Sequence, residues 1–429
     1  MEHREVSVAE QSCPPSEAGW RSWLALNTST GALLAAILLV GMAGELWSPL
    51  MPEYLTRLDA QILLIALYGC AKDFLDAGAF YLGGTVAARF NTRRALLVFN
   101  VLPLFGLTIL LVWPNKYAVF AALPFVGIWN SIAGPATLRV VGDSLSTHRR
   151  SMAFSLQSIQ KRLSSLLAYF ISGALVAWLG AVAGVRVAVA LAMVLVTISL
   201  MIQYRFMRTA VVDQVLTLHH PWRLLKQFDP QLRRLLVSDV LARWCDGMPR
   251  EFMILYCISL LMQRGWSIAG AAAFYLSVLL SVMNVTSLVL YLPIGHFASQ
   301  AGAAKKPFIG LTFIFFALFP LTLVLLGPQD GVWGLIVVFV IGGMREIGEP
   351  ARKAMITELA PPAFRTQAIG IYWATRSACI MLAPVVGGLI WVLFSPDAML
   401  WSAAGLGIVG TVLFYARFAG SDSEATAKE

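Results

Sequence analysis

Apolar residues run along this chain in long blocks, separated by short polar segments in which arginine and lysine predominate. The pattern predicts helices over 30–52, 61–86, 95–113, 117–141, 152–180 and 185–205 in the first half. In the second half it predicts helices over 235–262, 268–297, 307–327, 332–357, 367–394 and 398–418. A helix needs roughly 20 apolar residues to cross about 30 Å of hydrocarbon, and these blocks have that length. The short alternating segments that a membrane barrel requires are absent. The expected fold class is therefore all-α and integral to the membrane, with twelve transmembrane helices. Composition agrees: 58% of residues are hydrophobic and 13% charged, against roughly 25% charged in soluble domains.

The two halves repeat. The segment from Gly134 (GPATLRVVGDSLSTHRRSMAF) aligns with the one from Glu349 (EPARKAMITELAPPAFRTQAI) at an offset of 215 residues in a chain of 429. The alignment sets Pro135 on Pro350, Asp143 on Glu358, Arg150 on Arg365, Lys161 on Arg376 and Gly173 on Gly388. Two copies of a membrane-spanning half usually build a transporter whose site lies between them. The predicted organisation is a polar tail (1–29), a six-helix bundle (30–205), a basic linker (206–234), a second bundle (235–418) and a short tail (419–429).

Cations sort the loops. Arg89, Arg93 and Arg94, then Arg149 and Arg150, then Lys305 and Lys306, then Arg365 fall on one side; Arg57, Lys116 and Arg264 fall on the other. The positive-inside rule makes the first side cytoplasmic and puts both termini there. The same rule accounts for the net charge of +9 without invoking nucleic acid. The linker interleaves His219, His220, Arg223, Lys226, Arg233 and Arg234 with Trp222, Leu224 and Leu225, as in an amphipathic helix on an anionic membrane face. It is also where a partner protein would dock. The tail lacks the basic start and apolar core of a secretory signal. Five cysteines show neither CxxC nor Cys…His spacing, so no disulfide framework or zinc site is expected.

The twelve-span, two-half organisation resembles the major facilitator superfamily. GGTVAARFNTRRALL, from Gly83 to Leu97, is similar to that superfamily's GxLADRxGRR loop, with a weaker echo in IGHFASQAGAAKKPF from Ile294. The motif's acid is replaced by Ala88 and Ser299, and its glycine by Asn91, which tolerates a left-handed backbone. No arginine stands near Asn130, and Ala168–Gly173 reads AYFISG rather than the GPxxGG of drug antiporters; an APxxGG occurs instead at Ala383–Gly388. The block GGMREIGEPARKAMITELAPPAFRTQAIG resembles a bacterial branch of the superfamily that includes magnetosome-membrane iron permeases. The resemblance implies rocking of two halves, a bacterial inner or magnetosome membrane, and iron or another divalent metal as one cargo.

Charges inside a span are costly, about 2.5–3.5 kcal/mol on insertion scales, and should face a cavity or a partner. Glu45, Asp73, Asp76, Asp246, Arg345, Glu346 and Glu349 are the candidate substrate- or ion-binding residues. Some could pair locally: Lys72 with Asp76, Asp246 with Arg250, Arg345 with Glu349 and Glu349 with Lys353 are all spaced i,i+4. Glu45 has no basic residue within four positions, and would carry a proton or bind a cation with Asp73 and Asp76. Arg89, Asp143, Lys161, Glu358 and Arg376 are the candidate gating residues, with crossed pairs Asp143–Arg376 and Glu358–Lys161 expected to lock the cytoplasmic side. Trp113, Trp266, Trp333 and Trp401 read as interface anchors.

No GxxxxGK[ST] loop is present, so the chain does not power itself with nucleotide. No hydrolase spacing appears, and no cofactor is expected. The function expected is ion- or proton-coupled secondary transport of a small polar or cationic solute. Two alternatives are an efflux permease for drugs or metabolites, and a membrane scaffold or sensor that lost transport with its motif acids.

Overall fold

The computed structural model describes residues 28–89, 92–127, 150–206, 225–299, 306–327, 330–361 and 365–426. Every regular element among them is helical. Helix α1 (Thr28–Glu45) stops at Glu45; the chain then makes a 3₁₀ turn through Ser48–Leu50 and resumes as α2 (Met51–Arg57). Pro49 lies in that turn, where a missing N–H and a ring in the way prevent the helix from running on. Helices α3 (Ile62–Arg89), α4 (Thr92–Val112) and α5 (Lys116–Val126) follow, the last capped by Asn115, whose side chain accepts from the Tyr117 N–H at 3.0 Å.

Helix α6 (Arg150–Phe206) replaces the two separate helices expected over 152–180 and 185–205. It is not straight. Gly180 has φ +76° and ψ 174°, a conformation that essentially only glycine adopts. A Cβ on Gly184 would lie 3.1 Å from the Leu175 carbonyl oxygen and 3.2 Å from the Val176 Cα. Along a continuous helix those residues would be about 12 Å apart, so the two arms fold back at Gly180. The expected loop of several residues is a single-residue hinge.

The second half is more interrupted. Helix α7 (Pro230–Arg250) starts at Asp229, which accepts from the Gln231 N–H at 2.7 Å, with Pro230 in the first turn. Pro249 ends it, and α8 (Met253–Met262) continues after a short turn. Thus the last residues of the expected linker, 230–234, belong to a helix; 207–224 lie outside the described residues. Helix α9 (Ile268–Phe274), a π-helical turn (Tyr275–Leu280) and α10 (Ser281–Ser299) form one path. Next come α11 (Lys306–Val324), α12 (Gly331–Met344), α13 (Glu349–Leu359), α14 (Arg365–Ile380), α15 (Ala383–Leu393) and α16 (Pro396–Thr426). The expected helix over 332–357 is broken between α12 and α13, where the sequence reads Arg-Glu-Ile-Gly.

Six stretches among the described residues are long and apolar enough to cross a membrane: Leu34–Arg57, Ile159–Phe206, Ile268–Tyr291, Lys306–Val324, Gln367–Leu393 and Pro396–Ala416. The chain is a multi-pass membrane protein. Phe170, Trp178 (85% exposed), Leu393 and Val412 project from the bundle as lipid-facing side chains do. Trp113, Trp266, Trp333 and Trp401 are exposed near helix ends, where interface anchors belong.

Small polar residues glue α1 to α6. Ser164 Oγ donates to the Leu38 carbonyl at 3.2 Å, Ser199 Oγ to the Ala36 carbonyl at 3.1 Å, and Ser172 Oγ to the Leu46 carbonyl. In lipid such contacts and close packing replace the hydrophobic drive that holds soluble helices together. In the second half, α7 and α11 pack on α16; the Cys245 thiol donates to the Phe316 carbonyl, and the Phe313 and Phe414 rings meet edge-on at 5.0 Å.

The first half touches the second along two seams. Helix α3 lies along α14 and α15; α6 lies along α9, the π turn and α10. The repeat glycines occupy corresponding points of the two. A Cβ on Gly173 would stand 1.7 Å from the Ser277 Oγ, and one on Gly388 would stand 2.7 Å from the Ala66 Cβ. Close approach of the backbones is what these glycines provide.

Candidate functional site

The charged side chains expected inside the membrane gather into three groups, at and beside these seams. The first is at the α3 seam. Gly69, Asp73, Asp76 and Phe80 fall on one stripe of α3 by their three- and four-residue spacing. The Arg250 guanidinium at the end of α7 donates to Asp73 at 2.6 Å and to Glu251 at 3.2 Å, and Lys72 approaches Glu251 at 3.5 Å. The local pairs Lys72–Asp76 and Asp246–Arg250 are therefore not the ones made by the two cations. Each cation instead meets a carboxylate that is at least nine-tenths buried, Glu251 for Lys72 and Asp73 for Arg250. Asp76 is partly buried and also has an interaction partner.

The second group bridges the α6 seam. Arg162 approaches Glu346 at 3.0 Å and donates to the Asn284 side-chain oxygen at 3.1 Å and to the Tyr291 hydroxyl at 3.4 Å. The Tyr291 hydroxyl in turn donates to Glu346 at 2.9 Å. Glu346 lies in the break between α12 and α13, which leaves its side chain free to leave the helix surface and face α6. Eight residues from Arg162 along α6 would be Phe170; one residue short of that, at Tyr169, a hydroxyl donates to Glu45 at 3.0 Å. Glu45 ends α1, and its hydrogen bond to tyrosine takes the place of a cation.

The third group lies within the second half. Arg345 donates to Asp246 and, through Nε, to the Gly342 carbonyl at 2.8 Å, while its guanidinium stacks 4.3 Å from the Phe319 ring. Arg352, almost fully buried, donates to both Asp239 and Glu349. Arg243 reaches Glu349 at 3.5 Å, and Lys353 reaches Glu349 at 3.6 Å. Asp239 accepts a hydrogen bond from the Tyr372 hydroxyl at 3.2 Å, and Arg376 Nη1 stands 3.7 Å from it. The Arg376 guanidinium lies 4.0 Å over the Trp373 ring. Glu349 thus pairs with Lys353 as expected, but Arg345 turns to Asp246 on α7 instead of to Glu349.

Of the candidate binding residues, Asp73 and Glu346 join the two halves, Asp246, Arg345 and Glu349 share one network, and Glu45 sits apart on α1. Of the gating candidates, Arg89 ends α3 and Asp143 lies outside the described residues. Glu358 is exposed near the end of α13 and has an interaction partner. No carboxylate lies within 4 Å of Lys161 among the described residues, so the crossed pair Glu358–Lys161 is not formed here; Arg376 faces Asp239 of its own half. Sequence reasoning missed Arg162, Asp239, Glu251 and Arg352. The dipeptide Lys161-Arg162 was the available signal for the first, but the repeat singles out Lys161 because it aligns with Arg376. Among the described residues no cluster of three or more His, Cys, Asp or Glu side chains could hold a metal ion.

Comparison with known proteins fits this architecture. Residues 241–429, somewhat less than half of the chain, match the family model described as Major Facilitator Superfamily. The chain is similar in structure to the nucleoside transporter NupG (TM-score 0.70, 14% identity, 92% of this chain and 99% of that one). It is also similar to the human organic anion transporter MFSD10 (TM-score 0.63, 15% identity, 90% and 99%). A third similar structure is a POT family transporter in complex with 5-aminolevulinic acid (TM-score 0.70, 15% identity, 92% and 96%). At these identities the likeness establishes the fold. The comparison with curated protein sequences finds no match.

Proposed function

We propose that this chain, which carries the major facilitator fold, is a secondary transporter that moves a small polar solute by rocking its two halves about a site between them. The observation that supports this reading most is the placement of ion pairs across the seams. Arg250–Asp73 and Arg162–Glu346 each join one half to the other, beside glycine crossings at Gly388 and Gly173. Pairs of this kind hold one arrangement and can be exchanged for others when the halves tilt. The broken path at 345–348 carries charge into the membrane where irregular backbone is tolerated only beside protein or a cavity.

The twelve-span count, cytoplasmic termini, the amphipathic character of 206–234 and a bacterial inner-membrane location are parts of the same proposal, supported by the hydropathy and loop-cation patterns. Coupling to a proton or another ion would use Glu45 or the exchanging carboxylates at the seams. The case for iron or another divalent metal is weaker than the sequence suggests. Asp73, Asp246, Glu346 and Glu349 are each engaged by arginine, and a metal would have to displace those cations.

The test is uptake into vesicles reconstituted with the full chain, under imposed proton and sodium gradients, across a panel of metals, nucleosides, organic acids and amines. Gradient-dependent accumulation of any one class supports the carrier. Absence of flux for every class, with correctly inserted protein, favours the scaffold.

A further inference from the structure

Helix α7 has a second face, turned away from its charged network. Leu232, Leu235, Leu236 and Asp239 are buried on one side of its first turns; Arg233, Arg234 and Val237 (42% exposed) lie open on the other. Each arginine stands one turn from Val237, and Leu241 and Trp244, both half-buried, continue the same stripe. Two neighbours flank that stripe. On one side α16 approaches: a Cβ on Gly410 would lie 3.3 Å from the Leu241 Cβ. On the other, Trp244 Nε1 donates to the Cys379 carbonyl of α14 at 2.9 Å. Val412 of α16 and Cys379 of α14 are both exposed, so the groove between them, floored by α7, opens to lipid.

The arginines mark its polar mouth. Tyr372 meets Asp239 and Cys379 meets Trp244, so α7 and α14 run parallel. The Phe80–Trp373 contact and the approach of Gly388 to Ala66 set α3 antiparallel to the α14–α15 path. Arg233 and Arg234 therefore lie at the basic end of the bundle, where α14 begins at Arg365 and α3 finishes at Arg89. Arg233 Nη2 donates to the Lys226 carbonyl, which holds the turn carrying that exposed lysine against it. Among the described residues no carboxylate pairs with Lys226, Arg233 or Arg234; Asp229 beside them caps α7 through the Gln231 N–H. From Arg233 to Trp244 the stripe is about 16 Å long, close to one leaflet's share of roughly 30 Å of hydrocarbon.

We propose that this groove holds an anionic phospholipid, its phosphate between Arg233 and Arg234 and an acyl chain running over Val237 toward Trp244. Planar guanidinium donors match phosphate oxygens, and a headgroup with net negative charge supplies the counterion that the protein does not. Residues 207–224 are a poor alternative occupant, because Arg208, His219, His220 and Arg223 outnumber Asp213 there and like charge would meet like. A soluble phosphate would use the arginines and leave the apolar path empty. The site lies away from both seams and does not depend on the transporter reading.

The experiment is a thermal-stability titration of the full chain in neutral detergent with dioleoyl phosphatidylglycerol, dioleoyl phosphatidylcholine and glycerol 1-phosphate. Phosphatidylglycerol should raise the melting midpoint saturably, and the other two should not at the same concentration. One arginine at an anionic lipid surface is worth about fivefold in binding, so Arg234→Gln should raise the half-saturating concentration about fivefold and the Arg233→Gln, Arg234→Gln double variant about twentyfold or more. Arg234→Lys keeps the charge and should weaken binding less. Val237→Trp fills the acyl path and should weaken it with both charges in place. Arg233 also closes the turn at Lys226, so Arg234→Gln carries the test if the double variant does not fold. Equal protection by phosphatidylcholine makes the groove ordinary lipid contact and overturns the assignment. So does protection by glycerol 1-phosphate that matches phosphatidylglycerol, since the occupant is then a soluble anion. Phosphatidylglycerol protection unchanged in Arg234→Gln, or no protection of folded protein by any probe, overturns it as well.

Discussion

Arg162 and Glu346 stand 3.0 Å apart across the boundary between the two halves of this protein. Arg162 also donates to Asn284 and Tyr291, so one guanidinium ties α6 to α10 and to the α12–α13 break. The two side chains are 20% and 22% exposed, and removing one partner leaves the other, partly desolvated charge uncompensated. Arg162→Gln should therefore open this seam: spin-label distances between the halves should broaden or shift to longer values, and solute flux should fall at least about tenfold. The Arg162→Glu, Glu346→Arg double variant should recover part of the native distance distribution. Unchanged distances in Arg162→Gln would show that the pair holds nothing together.

At the other seam Arg250 serves both Asp73 and Glu251, with Lys72 beside them. Asp73→Asn leaves Arg250 one carboxylate, whereas Lys72→Gln removes a cation 35% exposed on its side chain and at 3.5 Å from its acid. Asp73→Asn should reduce flux much more than Lys72→Gln. Equal effects of the two, measured as initial uptake rates at matched protein density, would mean that the Arg250–Asp73 contact has no special weight.

How far the sequence carries these arguments differs from residue to residue. Gly173 and Gly388 could be matched from their spacing, and the structure puts them at corresponding close crossings. The charges in the tenth apolar block were legible as out of place in lipid, but not their partners. Lys72 has Asp76 one turn away and chooses Glu251, because a partner on another helix is shielded from solvent while one on the same surface is not. Arg162 was passed over because the repeat aligns its neighbour, and a side chain's target some 180 residues away leaves no trace in local spacing. The break at 345–348 was invisible to hydropathy, which averages across the window; the apolar residues on either side hide four residues of turn. At Gly180 the reverse holds: the pattern marks an interruption over 181–184, and the structure confines the non-helical backbone to one glycine.

Asp239 is fully buried and serves Arg352, Arg376, Arg243 and Tyr372 together. Asp239→Asn should destabilise the second half by about 3–5 kcal/mol, seen as a lower melting temperature and poor recovery from membranes. Lys353→Gln, at an exposed end of the same network, should change stability by less than about 1 kcal/mol. If both variants melt together with the native protein, the network is not structural and its charges serve the solute alone.

The glycine crossings give the most direct test of the seam geometry. Alanine at Gly173 would place a methyl 1.7 Å from the Ser277 Oγ and 3.1 Å from the Ala273 carbonyl oxygen. The first clash can be relieved by a side chain turning away; the second involves backbone and forces α6 from α9. Gly173→Ala should therefore lower the melting temperature and slow transport, and Ser277→Gly should restore only part of the loss. At Gly388 the added methyl meets the Ala66 Cβ at 2.7 Å and the Phe252 Cζ at 3.1 Å, with backbone no nearer than the Ile62 carbonyl oxygen at 3.8 Å. Here Ala66→Gly removes the nearest obstacle, so the Gly388→Ala, Ala66→Gly double variant should recover most of the native stability and flux. Full rescue at Gly173 and none at Gly388 would reverse this order, and would mean that the two seams do not pack as described.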